Sequence, residues 1–190
     1  MVKENKIWLG PTITSGDREF QVPKDYPLEA ANSRTDVNGN KFMRIKGVRW
    51  FTNIEHGRRH QPLPLMTMKE NLKFSKHMEI RGKKKYQKYE NYDAIEVPFT
   101  DAIPSDYEGV MGVPISFLDK YNPDQFQILG MCENIDLYSL KTRMYTSREC
   151  KDAYQKKFGR PGVYDLNASG VLLINGLREK VYQRVLIKHR

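Results

Sequence analysis

The sequence predicts an α+β fold, in which a mainly antiparallel or mixed sheet carries short helices. Short runs of β-branched and aromatic residues, such as Lys41–Ile45 and Val171–Ile174, are typical of strands. The dipeptides Asn38-Gly39 and Asn175-Gly176 favour tight turns between strands. Signals that start and stop helices are few by comparison. The chain has 190 residues, of which 39% are hydrophobic, so we expect a single domain over residues 1–190.

The N-terminal third is predicted to contain three strands and a long loop. Residues 7–10 read as a short apolar strand, and residues 3–6 resemble the end of a helix. Residues 11–40 are rich in Pro, Gly, Asn, Asp and Ser without apolar periodicity, which predicts a loop. Lys41–Ile45 alternates in polarity and residues 48–54 contain strong β-formers, so we expect these two strands to pair.

The remainder is predicted to mix short strands with short helices. Thr67 and Glu70 have the spacing of a capping box, which opens a helix. Ser147 is predicted to cap a helix over residues 148–158, which Gly159 and Pro161 end. The other predicted elements are a strand at residues 94–97, a loop at 101–109, a short helix at 115–121, a strand at 125–129, and a closing hairpin of Val171–Ile174 with residues 181–187.

Composition favours a cytoplasmic protein without a membrane partner. No stretch approaches the roughly 20 apolar residues that a membrane helix requires, and no signal peptide is recognisable. Disulfides are rare in the cytoplasm, so Cys132 and Cys150 are interpreted as reduced thiols that belong to the fold. No histidine base is recognisable for Ser116 or Cys132, and we predict no nucleophilic catalytic site.

Charge is distributed unevenly along the chain. Residues 41–88 contain 14 Lys or Arg and 3 Glu, a net charge of +11, whereas residues 89–136 contain 1 Lys and 10 Asp or Glu, a net charge of −9. A strongly basic segment attracts polyanions and can release counterions from nucleic acid. The charge pattern therefore indicates nucleic-acid binding, with a solvated basic face as the alternative.

Two basic segments are candidate contacts. In the first, Arg58 and Arg59 lie between His56 and His60, and all four can meet phosphates or base edges. The histidines have the spacing of helix-borne zinc ligands, but Gly57 disfavours a helix and no Glu follows His56, so we predict no metal site. The second segment, residues 81–89, interleaves basic residues with tyrosines and suits backbone contact and base stacking; its central residues are Lys83, Lys84 and Lys85.

One alternative function is a metal-dependent nuclease. Pro123-Asp124 followed by Glu149-Cys150-Lys151 matches a Pro-Asp…Glu-x-Lys pattern, in which two carboxylates hold a divalent metal and the lysine assists the attacking water. That chemistry requires a strand under Glu149. The predicted helix over residues 148–158 disfavours it.

Three blocks of sequence carry a resemblance to a known family. They are Val48-Arg49-Trp50-Phe51-Thr52-Asn53, Asn91-Tyr92-Asp93-Ala94-Ile95-Glu96-Val97, and Gly109-Val110-Met111-Gly112-Val113-Pro114-Ile115-Ser116-Phe117-Leu118-Asp119-Lys120-Tyr121. In that order they resemble the C-terminal half of the EcoRI-type adenine-specific DNA methyltransferases. The resemblance implies methylation of adenine N6 in double-stranded DNA with S-adenosylmethionine, as part of restriction-modification. It covers residues 1–130 and weakens over residues 131–190, a helix and a closing hairpin.

The catalytic motifs of that family are missing from the chain. It contains no Gly-x-Gly turn for the cofactor and no Pro-Pro pair of the Asn/Asp-Pro-Pro-aromatic motif that holds a flipped adenine. We therefore expect a truncated protein that alone neither binds S-adenosylmethionine nor methylates. An upstream catalytic half or a second copy of the chain is the expected protein partner. The remaining alternative is a non-catalytic interaction module.

The resemblance also implies a set of DNA-facing residues. These residues contact DNA or support the surface that faces the target base. The basic segment at residues 81–89 adds its three central lysines to the set. The predicted DNA-binding residues are Arg49, Trp50, Asn53, His56, Arg58, Arg59, His60, Lys83, Lys84 and Lys85.

Overall fold

The computed structural model describes residues 1–10, 18–26, 32–46 and 50–190, and confirms the α+β class. The chain divides into two compact units, Met1–His56 and Gly57–Arg190. The single domain predicted from composition stays a prediction.

The described residues of the first unit form two small sheets. Strand β1 (Trp8–Leu9) pairs antiparallel with β5 (Phe51–Thr52), with Trp8 opposite Thr52. Strands β2 (Arg18–Val22), β3 (Ser33–Thr35) and β4 (Lys41–Ile45) form a three-stranded antiparallel sheet in the order β2-β4-β3. Gly39 has a φ of 75° in the turn before β4, which confirms the predicted Asn38-Gly39 turn.

Three predictions for this unit are wrong. Residues 11–40 are not all loop, because β2 and β3 lie within them, and the alternating polarity of β2 is a strand pattern. Strand β4 pairs with β2 and β3, not with residues 48–54, of which β5 pairs with β1. Residues 3–6 form a turn rather than a helix end, with the Lys6 amide donating to the Met1 carbonyl at 3.0 Å.

The second unit is built on a four-stranded mixed sheet. Its strands are β6 (Ala94–Glu96), β7 (Val110–Pro114), β8 (Phe126–Met131) and β11 (Arg184–His189), in the order β6-β7-β11-β8. Only β6 and β7 run parallel among these neighbours. Met111, Val113 and Ile187 are fully buried in the sheet, and Phe117 packs edge-on against Phe126 with ring centroids 5.3 Å apart.

The closing hairpin differs from its prediction. Strands β9 (Val171–Ile174) and β10 (Leu177–Lys180) pair across Asn175 and Gly176, whose φ angles of 51° and 78° suit a type I′ turn. The expected pairing of Val171–Ile174 with residues 181–187 is wrong, because β11 lies between β7 and β8 in the main sheet. Its buried run of Arg184 to Ile187 is typical of a central strand that is covered on both faces of the sheet.

Local sequence signals mark the start of helix α1 and both ends of helix α2. Helix α1 (Met68–Phe74) starts at the predicted Thr67–Glu70 capping box. Helix α2 (Ser147–Phe158) ends at Gly159, with a φ of 69°, but its N-cap is Thr146 and not Ser147. The helix predicted at residues 115–121 is a 3-10 helix over Ile115–Lys120.

Cys132 and Cys150 are free and buried. No helix in the described ranges is long and apolar enough to cross a membrane.

Candidate nucleic-acid interface

The two arginines of a short 3-10 turn over Gly57–His60 differ in their exposure to solvent. Arg58 is exposed, whereas Arg59 is only 6% exposed. Consecutive side chains on such a turn point in different directions, since about three residues complete it. Arg58 can therefore reach a ligand in solvent, whereas Arg59 supports the turn from inside.

This turn is attached to the loop that precedes β8. His60 Nδ1 lies 2.6 Å from Asp124 Oδ2. The Leu63 amide donates to Gln125 Oε1 at 2.8 Å, and Gln125 Nε2 donates back to the Leu63 carbonyl at 3.1 Å. Buried Asn122 shapes the loop, because its Oδ1 accepts from the Asp124 amide at 2.8 Å. Contacts on both sides of Pro62 thus hold the arginine turn in one position.

The loop with Lys83, Lys84 and Lys85 is held at both ends by buried residues. Before the lysines, Ile80 is buried and the Gly82 amide donates to the Leu72 carbonyl of α1 at 2.8 Å. After them, the Tyr86 hydroxyl donates to the Ala102 carbonyl at 2.7 Å, and burial raises the pKa of this phenol. The three lysines are exposed. Gly82 has a φ of 79°, a backbone conformation that glycine adopts without strain.

A cleft lies beside this loop. Its volume is about 550 Å³, and the apolar side chains of Leu72, Ile80 and Tyr86 help to line it. Lys83, Lys84 and Lys85 also border it. An apolar depression next to several cations is chemically suited to part of an aromatic anion, because the walls accept the ring and the lysines attract the charge.

The other predicted site residues belong to the first unit. Trp50 is 47% exposed and packs against Phe20 with ring centroids 6.2 Å apart. Asn53 is exposed, and the half-buried His56 places Nε2 3.1 Å from the Leu9 carbonyl. Arg49 lies outside the described residues. The structure thus gathers Arg58, Arg59 and His60 in one turn and the three lysines in another.

Sequence analysis missed the contribution of Asp124 and Gln125. The sequence suggests a role for Asp124 only in the nuclease alternative and none for Gln125, but the side chains of these two residues fix residues 60–63. The two segments are 62 to 64 residues apart in the chain, and no local periodicity links them.

The geometry required by the nuclease alternative is absent from these residues. Glu149 and Lys151 lie in α2 rather than on a strand. Glu149 accepts from the Thr146 amide at 2.8 Å and pairs with Arg143 at 2.5 Å, and the Thr146 amide lowers the pKa of this carboxyl. Asp124 faces His60. Within the described ranges, no group of three or more His, Cys, Asp or Glu side chains is arranged to hold a metal ion.

The chain matches known methyltransferases. Over residues 1–190 it matches the family described as "Adenine-specific methyltransferase EcoRI". It is 43% identical over 136 residues to the Type II methyltransferase M.EcoRI of Escherichia coli, covering 72% of this chain and 39% of that protein. It is 36% identical over 191 aligned positions to the Type II methyltransferase M.MgeORF184P of Mycoplasma genitalium, covering 98% of this chain and 50% of the relative.

A third relative gives the same result. The Type II methyltransferase M.MpnI of Mycoplasma pneumoniae is 36% identical over 149 residues, which cover 76% of this chain and 43% of that protein. The chain therefore spans half or less of the length of these relatives. No solved structure matches it.

Proposed function

The chain belongs to the EcoRI-type family of adenine-specific methyltransferases, and from that premise we propose that it is the DNA-recognition part of the enzyme. The complete enzyme would transfer a methyl group from S-adenosylmethionine to adenine N6 in double-stranded DNA, as the modification activity of a restriction-modification system. This chain contains neither a Gly-x-Gly turn nor a Pro-Pro pair, so the cofactor and the reacting adenine would be held by residues outside it.

The observation that carries the proposal is the pair of anchored basic segments in the second unit. Arg58 is exposed on a turn that Asp124 and Gln125 hold in place. Lys83, Lys84 and Lys85 are exposed on a loop that buried residues fix at both ends. A contact surface that is ordered before binding loses less conformational entropy when it meets its ligand. Fixed cations of this kind suit a duplex backbone.

Individual roles follow from exposure. Arg58 would contact a phosphate or read guanine with its planar guanidinium, and buried Arg59 would support the turn. His60 would act together with Asp124. In the first unit, Trp50 would stack on a base or sugar, whereas Asn53, His56 and Arg49 would add polar contacts.

Binding of a mixed-sequence duplex, measured across a range of salt concentrations, tests the proposal. We expect log affinity to fall linearly with log salt, at about 0.9 per phosphate contact. Two variants, Arg58→Ala and the triple change of Lys83, Lys84 and Lys85 to Ala, should each bind more weakly and with a shallower slope. Arg58→Lys is the matched control, because it keeps the charge but loses the planar fork. If Arg58 contacts a phosphate, Arg58→Lys should keep the slope of log affinity against log salt. If Arg58 reads a base, the variant should lose any preference for one duplex sequence over another.

Two results would contradict the proposed function. If the chain binds no duplex at low salt, the basic segments are only a solvated face, and an interaction module becomes the better description. If the chain alone transfers labelled methyl groups to DNA, the proposed division between recognition and catalysis is wrong.

The protein partner would be the remaining half of the enzyme or a second copy of this chain. Sedimentation of the chain alone separates the two, since a second copy gives a dimer and a dependence on the catalytic half leaves a monomer.

A further inference from the structure

Helix α2 is fixed to the hairpin β9–β10 by ion pairs at both of its ends. Near the N-terminus, Arg143 pairs with both Glu149 and Glu90, and Arg178 of β10 also pairs with Glu90, at 2.9 Å. Near the C-terminus, Lys157 pairs with Glu179 of β10. The buried side of α2 adds Cys150 and Ala153 to a core cluster with Leu166 and Val171. The inward-facing cations of this region thus have acidic partners.

The outward face of α2 is different. Arg148, Lys151 and Lys156 are exposed, and none forms an ion pair with a described residue. At 3.6 residues per turn, these three side chains and exposed Gln155 fall within one arc of about 140° around the helix axis. Asp152 is the acidic residue within this arc. Arg160 follows the helix and is also exposed. We call Arg148, Lys151 and Lys156 the α2 basic face.

Arg148 lies where helix stability disfavours a cation. It is the second residue of α2, in the first turn, where the helix dipole attracts acidic side chains and repels basic ones. Glu149 in the same turn has the favourable sign. The helix dipole therefore does not favour Arg148, whereas an anionic ligand in front of this face would.

We propose that the α2 basic face is a second phosphate-binding surface, which contacts the backbone of double-stranded DNA. This inference rests on the proposed function. A helix of 12 residues is about 18 Å long, and a duplex carries about ten phosphate charges over that length. Contacts of this kind are independent of sequence, so α2 would add affinity and fix the orientation of the protein without reading bases.

A pair of charge-matched variants of the full chain tests this surface. In Lys151→Gln with Lys156→Gln, two lysines of the α2 basic face become neutral residues that favour helix equally well. The control is Lys24→Gln with Lys188→Gln, which removes two exposed lysines elsewhere. With a mixed-sequence duplex as probe, we expect the slope of log affinity against log salt to become shallower by about 1.8 for the α2 variant and to stay unchanged for the control.

Arg148→Gln gives a second, independent readout. It should weaken duplex binding several-fold without lowering the thermal midpoint of unfolding, because it removes a cation from the positive end of the helix dipole. A purely structural role for Arg148 would instead lower the midpoint and leave affinity unchanged.

The outcomes separate this inference from the proposed function. If the chain binds DNA and responds to Arg58→Ala, but the α2 variant keeps the full slope or matches its control, the α2 surface is overturned and the recognition function stands. If the α2 variant loses slope while Arg58→Ala and the lysine-loop variant do not, the second surface stands and the proposed site is overturned. If the chain binds no DNA, both are wrong.

Discussion

Glu96 and Arg184 form a buried ion pair within the main sheet. Glu96 of β6 and Arg184 of β11 are 88 residues apart in sequence, and their side chains are 8% and 10% exposed. Arg184 Nη2 donates to Glu96 Oε1 at 2.6 Å, and the Tyr89 hydroxyl also donates to Glu96. Because β6 and β11 both neighbour β7 rather than each other, the pair ties strands that share no backbone hydrogen bonds.

Removal of Glu96 should therefore destabilise the fold strongly. Glu96→Ala leaves Arg184 charged and buried without its carboxylate, and we expect a loss of about 3–5 kcal/mol in the free energy of unfolding in urea. Glu19→Ala is the control, because it breaks an exposed pair with Arg34 and should change the midpoint little. Replacement of both Glu96 and Arg184 by Leu and Met should recover part of the loss. Similar losses for the two single variants would contradict this assignment.

Cys132 gives the protein a pH dependence on the alkaline side. Burial raises the pKa of this thiol from an ordinary value of 9.0 to about 12, and the nearby Glu96 carboxylate adds to the rise. Between these values the folded chain keeps the proton and the unfolded chain releases it. The free energy of unfolding should consequently be constant below about pH 8 and fall as pH rises above 9.

Urea unfolding at pH 8, 9 and 10 measures this effect. The buried tyrosines, whose pKa values are also raised by burial, contribute to this fall as pH approaches 10, but they do so in both proteins, so the difference between the proteins reports on Cys132. Cys132→Ala should be less stable at every pH, owing to its lost volume, but its stability should fall less steeply from pH 9 to pH 10 than that of the unmodified chain. Parallel curves for the two proteins would show that another group titrates.

At the scale of elements, local signals were predictable and pairing was not. The capping box Thr67–Glu70 and the Asn175-Gly176 turn depend on residues close in sequence, and both appear as predicted. The pairing partners of β4 and β11 depend on contacts between segments that are not adjacent in the sequence, and the partners predicted for these two strands are wrong. The Asp124–His60 contact in the candidate site is non-local for the same reason. The N-cap of α2 is a different case, because the Thr146–Glu149 spacing of a capping box is itself a local signal and predicts the observed cap better than Ser147 does.

Two adjacent substitutions test that correction. The Thr146 hydroxyl accepts from the Glu149 amide at 3.3 Å, and the Glu149 side chain accepts from the Thr146 amide. Thr146→Ala should therefore lower the free energy of unfolding by about 1 kcal/mol, as loss of an N-cap typically does. Ser147→Ala removes a hydroxyl one position inside the helix and should have almost no effect. Thermal unfolding of both variants measures the difference. A larger loss of stability for Ser147→Ala than for Thr146→Ala would identify Ser147 as the N-cap of α2.

At the scale of the whole molecule, apolar burial is concentrated in the second unit. Two of its core clusters centre on Tyr89 with Leu172 and on Leu166 with Val171. The first unit, where it is described, buries the apolar side chains of Trp8 and Leu9. A chain segment needs enough buried apolar surface to offset the conformational entropy lost on folding. The second unit meets this requirement more fully than the first.

A fragment of residues 57–190 should therefore fold alone. It keeps the main sheet, helices α1 and α2, the hairpin and the core clusters around Tyr89 and Leu166. We expect a cooperative thermal transition close in midpoint to that of the full chain, measured by circular dichroism and calorimetry, whereas residues 1–56 should show no cooperative transition. Because Arg58, the lysine loop and the α2 basic face all lie in this fragment, it should also keep most of the salt dependence of DNA binding. A broad transition without a heat-absorption peak would instead mean that the single domain predicted from composition is correct and that the second unit requires the first.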